Sequence, residues 1–269
     1  MQHCLCDNIL GPYLEKRLIY DNAACRIEKG THFALNRLTG FLRNQYKHFG
    51  NEGYILKYDI HHYFDSIDHG MLKDMFKTFP DRNVLGLLYH IINSYENAPG
   101  KGLPMGNQTS QWFALYYLDP MDRLIKEKFQ IKHYIRYMDD GVLISSSKEE
   151  LQNVRAVMEK LALKLKLEFN NKTQIFPLSQ GVDFLGWHFY LSDTGKVIKR
   201  LRTSNKRKLK RRLKKYKEDY RTGTKSFEEV TRSVASYNGH LSYGHTYKLK
   251  KKIYSDFVLT KAPKTNGGK

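Results

Sequence analysis

The segment from His133 to Ser147, HYIRYMDDGVLISSS, constrains this chain more than any other stretch. Alternating residues up to Met138 and the apolar run Val142–Ile144 predict the two strands of a β-hairpin. Between them, Asp139-Asp140-Gly141 predicts the turn, with Gly141 taking the positive φ that a tight turn needs. Asp-Gly alone is an ordinary turn sequence. Two adjacent carboxylates at the tip of an apolar hairpin repel each other, however, which favours a site with a cation between them.

Length, charge and cysteine content limit the classes of protein to consider. The 269 residues are 41% hydrophobic, which is typical of one large globular domain or of a domain with an appendage. The net charge of +19 indicates a polyanionic partner, with nucleic acid first and an anionic membrane surface second. The chain has no stretch of 18 consecutive apolar residues, so no membrane-spanning helix is predicted. Cys4, Cys6 and Cys25 cannot all pair and lack the second half of a zinc site. The first ten residues also do not resemble a signal peptide, so we expect reduced thiols in a cytoplasmic protein.

The order of the predicted elements indicates an α+β fold. The predicted helices cover residues 1–19, a segment with its N-cap at Thr31, 83–96, a segment from about Thr109, and 148–167. The predicted strands are 54–60, the two arms of the hairpin, 174–178 and a second hairpin around Gly186.

The C-terminal part of the chain is strongly basic, and a domain boundary is expected near Lys199. From Lys196 to Lys215 there are twelve Lys or Arg residues and no acid. Such a run is usually a solvated face, but at this density it favours contact with phosphates. The last predicted helical stretch, 227–257, interleaves tyrosines with lysines, which suits nucleic-acid contact. The tail from Lys261 is expected to be disordered.

A third carboxylate belongs with the hairpin pair. Asp59 ends the predicted strand 54–60 ahead of a turn and a helix. A lone Asp there is most often a helix cap, and we expect Asp68 to cap the helix that begins near Gly70. Asp59 instead lies inside the apolar run, where a carboxylate is unfavourable without a partner. If the strands share a sheet, Asp59 joins Asp139 and Asp140 in a space that suits Mg²⁺, and two such ions would support in-line phosphoryl transfer.

Two weaker signals accompany the carboxylates. The glycine-rich segment 100–106 precedes a predicted helix, where backbone can approach a ligand closely and N–H groups point at anions. Arg26 and Lys29 lie in a predicted loop and are either a solvated surface pair or phosphate contacts.

Together these motifs resemble those of reverse transcriptases. YMDD at 137–140, the Asp59 segment with Phe64 five residues later, the GLPMGNQTSQ loop at 102–111, FNNKT and then GVDFLGW follow one another as in that family. The resemblance spans residues from about Gln2 to Leu249. It implies a right-handed polymerase fold: partial fingers (1–53), a palm (54–198, with a fingers insertion near 77–104) and a helical basic thumb (199–260), followed by the tail 261–269.

The resemblance also implies roles for residues at matching positions. The implied metal ligands for two Mg²⁺ ions, with Mn²⁺ as an alternative, are Asp59, Asp139, Asp140 and the backbone carbonyl of Ile60. The implied nucleotide-binding residues are Arg26, Phe64 (a steric gate against a 2′-hydroxyl), Met105 and Gly106. The implied proton donor to pyrophosphate is Lys172, and the implied primer grip is Phe184, Leu185, Gly186 and Trp187. The implied partners are an RNA template, a DNA or RNA primer and dNTPs, with no membrane.

Within the family, LPMGNQTSQ looks like the reverse transcriptases of diversity-generating retroelements. Most relatives carry Gln where Met105 stands and Pro where Gln111 stands. Because Met105 cannot hydrogen-bond as an amide can, the resemblance implies error-prone copying of a template-repeat RNA, with an accessory variability protein as a partner. That subgroup has basic fingers strands ahead of the segment at Gln2. Gly141 also differs, since relatives have a bulky apolar residue there.

Two other interpretations stay open at this stage. The chain could be a defence-associated or group II intron-like reverse transcriptase, against which Met105 and Gln111 argue. It could also be a non-catalytic RNA-binding protein that keeps the palm as a scaffold.

Overall fold

The computed structural model describes residues 2–261 and divides the chain into two compact units, Met1–Gln180 and Gly181–Lys269. The first unit contains an antiparallel sheet with the strand order β2-β3-β1-β4. Its strands are β1 (Tyr54–Tyr58), β2 (His133–Tyr137), β3 (Asp140–Ser145) and β4 (Gln174–Pro177). The central pair β1 and β3 is apolar at most positions, as expected for strands that are covered on both faces.

Helices surround this sheet in the first unit. They are α1 (Gln2–Leu5), α2 (Gly11–Glu15), α3 (Thr31–Phe49), α4 (Tyr63–Ser66), α5 (His69–Phe76), α6 (Arg82–Asn93), α7 (Gln108–Tyr117), α8 (Asp119–Arg123) and α9 (Lys148–Lys164). A π-helical turn, Cys6–Leu10, joins α1 to α2, and another, Leu124–Lys128, follows α8. The predicted α+β class and its antiparallel sheet are therefore confirmed.

The turn of the first hairpin differs from the sequence prediction. Tyr137 pairs with Asp140, so the two loop residues are Met138 and Asp139, and Gly141 already lies within β3. The positive φ belongs to Met138, at 55°, and not to Gly141. The prediction was wrong because Asp-Gly is a strong turn signal, while here another requirement determines the position of the glycine.

That requirement is the close packing of Gly141 against Tyr58. The two residues are partners across β1 and β3, and Tyr58 is completely buried. A Cβ atom at position 141 would lie 2.2 Å from Cε1 of the Tyr58 ring. The glycine at position 141 is therefore explained by the tyrosine opposite it, which fills the space of a side chain.

Helix ends in the first unit depart from the prediction at two places. The N-terminal helical segment ends at Glu15, although Leu18 beyond it is still buried in the core. Helix α3 begins at Thr31, but its N-cap is Gly30, with a φ of 123° and no side-chain cap hydrogen bond. Thr31 was predicted as the cap because threonine is a good N-cap residue, whereas the glycine provides the backbone geometry itself.

Asp68 caps helix α5, as predicted. Its Oδ1 accepts from the N–H of Met71 at 2.9 Å, and its Oδ2 accepts from Nζ of Lys166 at 2.6 Å. Burial alone would raise the pKa of Asp68, but these hydrogen bonds outweigh it and lower the pKa below its usual value.

Replacing Asp68 with alanine should therefore destabilise the first unit by about 1–2 kcal/mol, the usual effect of losing an N-cap. Asp68→Asn should cost less, because an amide can still cap the helix but cannot pair with Lys166. Because the folded pKa is depressed, the advantage of wild type over Asp68→Ala should shrink as pH falls through that pKa. Urea titrations at neutral and acid pH measure this, and a constant difference would contradict the assignment.

In its described residues, 181–261, the second unit contains an antiparallel three-stranded sheet and three helices. They are β5 (Val182–Phe184), β6 (Trp187–Leu191), β7 (Val197–Leu201), α10 (Thr203–Arg221), α11 (Phe227–Leu241) and α12 (Tyr247–Tyr254). The basic run that begins at Lys196 thus starts as a strand and becomes helical only at Thr203. The predicted boundary near Lys199 falls within β7, whereas the compact units divide at residues 180 and 181.

Three further predictions concern the cysteines, membrane-spanning helices and the C-terminal tail. Cys4, Cys6 and Cys25 are free thiols, as predicted. Among residues 2–261, no helix combines the length and apolar character needed to cross a bilayer. The tail expected to be disordered lies outside the described residues beyond Lys261.

Candidate active site

The carboxylates predicted to act together come from two neighbouring strands at the centre of the first sheet. Tyr58, the last residue of β1, pairs with Gly141 of β3, so Asp59 follows directly beside Asp140. Asp139 occupies the adjacent hairpin turn. Its carboxyl group lies near enough to that of Asp59 for the two charges to interact. The strand register therefore brings the predicted residues 59, 139 and 140 to one end of the sheet.

The pKa of Asp139 reflects this crowding. Burial, and after it the nearby charge of Asp59, raises the pKa of Asp139 from 3.8 to about 6, although its own backbone N–H and the positive charge of Arg136 oppose the shift. The direction of this shift is the one expected for a buried carboxyl group that lies beside another carboxylate.

Asp140 faces a different partner. Its Oδ2 lies 3.4 Å from Nζ of Lys57, which projects from β1. Burial raises the pKa of Asp140 to about 6, and Lys57 only partly offsets this. The other oxygen, Oδ1, is buried without a hydrogen-bond partner. An unpaired buried carboxylate oxygen is unfavourable, and an added cation would satisfy it.

Within residues 2–261, no three or more His, Cys, Asp or Glu side chains are arranged as a ready metal-binding group. The three predicted carboxylates act on one another through their charges, while Oδ2 of Asp140 also lies 3.4 Å from Nζ of Lys57. A cation between the carboxylates would relieve their mutual repulsion. The oxygen donors and the unpartnered Oδ1 fit a hard divalent cation.

The loop that carries Lys172 is attached to the backbone of Asp59. The N–H of Asn170 donates to the carbonyl of Asp59 at 2.8 Å, and Oγ1 of Thr173 accepts from the N–H of Asp59 at 3.4 Å. Lys172 lies between these residues and is exposed. Ile60 forms an isolated antiparallel bridge with Phe169. The predicted proton donor and the predicted carbonyl ligand therefore lie on segments that are linked to Asp59.

The predicted nucleotide-binding residues differ in how the fold holds them. Phe64, in α4, is half-buried and packs against the core, and its carbonyl accepts from the N–H of Leu103 at 2.9 Å. That bond ties α4 to the loop ahead of α7. In this loop Met105 is 80% exposed, and Gly106 has a φ of 93°. An exposed methionine in a loop is free to contact a ligand, while Phe64 is fixed by its packing.

The structure gives Arg26 a different role from the predicted phosphate contact. Its guanidinium is buried and bonds both oxygens of Glu15, with Nη2 to Oε2 at 2.5 Å. Its Nη1 donates to the carbonyls of Ile19 and Asn22 at 2.7 and 3.0 Å. Sequence reasoning missed this because the Glu15 partner lies eleven residues away, in another element.

The predicted primer grip forms the β5–β6 hairpin of the second unit. Phe184 pairs with Trp187, and both are buried. Leu185 and Gly186 have φ values of 47° and 86°, as in the two-residue turns that suit a hairpin. The carbonyl of Gly186 accepts from the N–H of Arg202 at 3.1 Å and from Nδ2 of Asn205 at 3.2 Å. The turn is therefore held by the start of α10 within that unit.

Sequence reasoning missed a buried polar network beneath the candidate site. Arg136 in β2 and Asp122 in α8 are both 0% exposed and form a forked ion pair, with Nη2 to Oδ2 at 2.5 Å. Asp122 also accepts from the hydroxyl of Tyr134 at 2.6 Å, and that hydroxyl lies 2.6 Å from the hydroxyl of Tyr58. Arg136 between apolar strand residues was the only available signal, and its partner could not be identified from spacing.

Comparison with known proteins reveals a family relationship. Residues 7–189 match the family model described as reverse transcriptase (RNA-dependent DNA polymerase). A curated relative, the putative COX1/OXI3 intron 2 protein of Saccharomyces cerevisiae, is 24% identical over 159 residues, which cover 54% of this chain and 18% of the relative. The chain thus corresponds to less than a fifth of that protein.

Solved structures with a similar fold include three of telomerases. An apo telomerase from Candida tropicalis, truncated from its C-terminal domain, matches with a TM-score of 0.53 at 17% identity over 74% of this chain and 43% of that one. Telomerases from Candida albicans and Candida tropicalis, each with a TWJ fragment of telomeric RNA, match with TM-scores of 0.51 and 0.53. Identities are 14% and 15%, over 95% and 93% of this chain and 46% of each telomerase. At these low sequence identities, the similarity to the telomerases shows a shared fold and nothing more.

Proposed function

The chain belongs to the reverse transcriptase (RNA-dependent DNA polymerase) family, and we propose that it copies an RNA template into DNA by adding dNTPs to the 3′ end of a DNA or RNA primer. The observation that carries this proposal is the convergence of Asp59 with the Asp139–Asp140 hairpin on two central strands of the domain that matches the family. Because the chain covers only 18% of its curated relative and less than half of the telomerases, the activity is inferred from this site.

The ligands for divalent cations would be Asp59, Asp139, Asp140 and the backbone carbonyl of Ile60, with Mg²⁺ as the expected ion and Mn²⁺ as an alternative. The unpartnered Oδ1 of Asp140 and the raised pKa values of Asp139 and Asp140 support this proposal, because a cation bound beside these carboxylates would stabilise their charged forms. When bound, two such ions would lower the pKa of the primer 3′-hydroxyl and neutralise charge on the leaving pyrophosphate.

The chain's own residues would then bind and orient the reactants. Phe64 would exclude a 2′-hydroxyl, since its ring is held by the core. Met105 and Gly106 would contact the incoming nucleotide from their loop, and Lys172 would donate a proton to the leaving pyrophosphate. We assign residues 1–53 to partial fingers, 54–198 to a palm with a fingers insertion near 77–104, and 199–260 to a basic thumb. The Phe184–Trp187 hairpin would serve as the primer grip.

Primer extension on an RNA template tests the proposal. The full chain, a labelled DNA primer annealed to RNA, dNTPs and Mg²⁺ should give extended products that disappear when a chelator is added. Binding of the same primer–template, measured by fluorescence anisotropy, provides the control. Binding without any extension, with Mg²⁺ or Mn²⁺ and with DNA or RNA primers, would favour the non-catalytic RNA-binding interpretation.

The finer proposal is that the enzyme is of the diversity-generating retroelement type. Support comes from the LPMGNQTSQ segment, whose Met105 and Gln111 resemble that subgroup. A thioether cannot replace the hydrogen bonds of an amide to the nucleotide or its template partner. The proposal includes low fidelity opposite template adenines, a template-repeat RNA and a basic accessory variability protein as a partner.

Met105→Gln should therefore reduce misincorporation opposite adenine by up to about tenfold, the equivalent of one regained hydrogen bond. Sequencing of products from a template with all four bases measures the error rate at each. Met71→Gln, at a half-buried position of α5 without an assigned role, controls for the substitution itself. Equal error rates at all four template bases in wild type would argue against the diversity-generating assignment.

A second candidate is an intron-type reverse transcriptase. It is favoured by one observation, the similarity to an intron-encoded protein of yeast over 54% of this chain. An even error spectrum combined with tight binding of a structured intron RNA would support it over the first candidate. A template-repeat and variable-repeat pair beside the gene would support the first.

A further inference from the structure

Arg136 occupies a position from which it can control the geometry of the candidate active site. It lies in β2, two residues before the turn residue Met138 and three before Asp139. Its side chain is completely buried and forms an ion pair with Asp122. Asp122 alone would account for a structural ion pair, but the guanidinium makes another contact that a structural pair does not need.

That contact is with the hairpin turn. Nη1 of Arg136 donates to the carbonyl oxygen of Met138 at 2.7 Å. Met138 is the loop residue with a φ of 55°, a left-handed conformation that is unfavourable for a side chain of this kind. A hydrogen bond from a charged donor to its carbonyl stabilises that conformation. The guanidinium thus compensates for the strain at the turn.

The Met138 carbonyl belongs to the same planar peptide group as the N–H of Asp139. When Arg136 holds the oxygen of this peptide, it also fixes the orientation of the N–H and the Cα of Asp139. Arg136 therefore influences the direction in which the Asp139 side chain projects from the backbone.

The position of the guanidinium is itself fixed by the helices beneath the sheet. Its Nε and Nη2 bond the two oxygens of Asp122 in α8, and Nη2 also donates to the carbonyl of Leu115 in α7 at 3.0 Å. The backbone of Arg136 is held as well, because its N–H donates to the carbonyl of Asp21 at 3.0 Å. Because Arg136 is bonded to α7, to α8 and to the turn, it couples the position of the turn to that of the two helices.

We propose that Arg136 is a positioning residue that, anchored by Asp122, sets the geometry of the Met138–Asp139 turn and so the placement of the Asp139 carboxylate for nucleotide addition. Lysine would be a poor replacement, because an ammonium group cannot bond both Asp122 oxygens and the Met138 carbonyl in the same fixed plane. The proposal rests on the proposed polymerase activity for its kinetic consequence. Its structural consequence can be measured without any activity.

The main test uses a double variant that should keep the fold but lacks the hydrogen bonds of the Arg136 guanidinium. Arg136→Met with Asp122→Leu replaces the buried ion pair by apolar side chains of similar size, an exchange that proteins often tolerate. We expect binding of primer–template to stay within about twofold, while the rate constant for single-nucleotide addition falls about a hundredfold, as misplacement of a reacting group by about 1 Å can cause. Arg136→Lys should give a smaller loss in the same rate constant.

The matched control is the ion pair of Arg123 and Asp119 on the same helix. Nε of Arg123 donates to Oδ2 of Asp119 at 2.8 Å and its Nη1 donates to Glu127 at 2.9 Å. Its Nη2 donates to the carbonyl of Arg17 rather than to the hairpin turn. Arg123→Met with Asp119→Leu should leave the rate constant of nucleotide addition close to that of wild type. An equal loss in both double variants would show that Arg136 acts only through stability and would overturn the proposal.

Hydrogen exchange of the peptide spanning residues 137–141 provides the independent readout. Exchange should be faster in Arg136→Met/Asp122→Leu and in Arg136→Lys than in wild type, and unchanged in the Arg123 control. If wild type does not extend primers, faster exchange still supports the positioning role while the polymerase proposal fails on its own. Unchanged exchange, or a folded Arg136 double variant with a rate constant within about threefold of wild type, overturns the inference.

Discussion

Replacing Asp139 with asparagine should lower the rate of nucleotide addition by about a hundredfold to a thousandfold without disrupting the fold. Asparagine has nearly the same shape as aspartate, so the turn can keep its backbone conformation. It lacks the negative charge that would bind a cation opposite Asp59. Single-turnover extension of a primer on RNA measures the rate, and anisotropy measures primer–template binding, which should be unchanged.

The same substitution should stabilise the metal-free protein. Folding raises the pKa of Asp139 from 3.8 to about 6, so the folded state binds a proton more tightly than the unfolded chain does. Wild type therefore loses stability as pH rises through this interval, and the asparagine variant does not. In the presence of a chelator, the variant should be more stable by about 1–2 kcal/mol near neutral pH and by less at about pH 4.

Asp74→Asn is the matched control for this experiment. Asp74 is an exposed residue of α5 that pairs with Lys77, and its loss should change neither the rate nor the pH dependence appreciably. An Asp139→Asn variant that extends primers at the wild-type rate would remove Asp139 from the proposed active site.

Replacing Gly141 with alanine should destabilise the protein by about 3 kcal/mol or more. The added Cβ would lie 2.2 Å from Cε1 and 2.3 Å from Cζ of Tyr58, whose ring is buried and cannot move without disturbing its neighbours. The Tyr58 hydroxyl also contacts that of Tyr134 at 2.6 Å, so displacement of the ring would disturb the polar network below the site. We therefore expect a loss of both stability and nucleotide addition.

Thermal and urea unfolding measure the loss of stability. The Tm of Gly141→Ala should lie about 6–12 °C below that of wild type for a protein of this size. The matched control is Gly86→Ala in helix α6, where a Cβ meets nothing within 4 Å. This change should stabilise the protein by about 0.5–1 kcal/mol, because alanine is the better helix former. If both alanine variants behaved alike, close packing would not explain Gly141.

Much of this site could be predicted because its signals are local. The strand that ends before Asp59, the paired carboxylates of the hairpin and the cap at Asp68 each follow from residues within a few positions of one another. Their convergence required only that two apolar strands pair. The family relationship was likewise expected from motifs in their order.

What could not be predicted depends on contacts between distant elements. The turn lies at Met138 and Asp139 instead of at residues 139–141, because the local preference of Asp-Gly gave way to the packing of Tyr58 against Gly141. Arg26 was expected either to be solvated or to contact a phosphate, because its partner Glu15 is remote in sequence. The pairing of Arg136 with Asp122 links a strand to a helix that precedes it by ten residues, and no periodicity reveals such a link.

One structural feature decides where this chain can be shortened. The outer edge of β2 is covered by the segment around Asn22, through the bonds of Arg136 with Asp21 and Ala23. The Arg26–Glu15 ion pair in turn fastens that segment to α2. A version of the protein that starts at α3 would leave a hydrogen-bonding strand edge open to other molecules. It should therefore self-associate during expression, although every predicted active-site carboxylate would still be present.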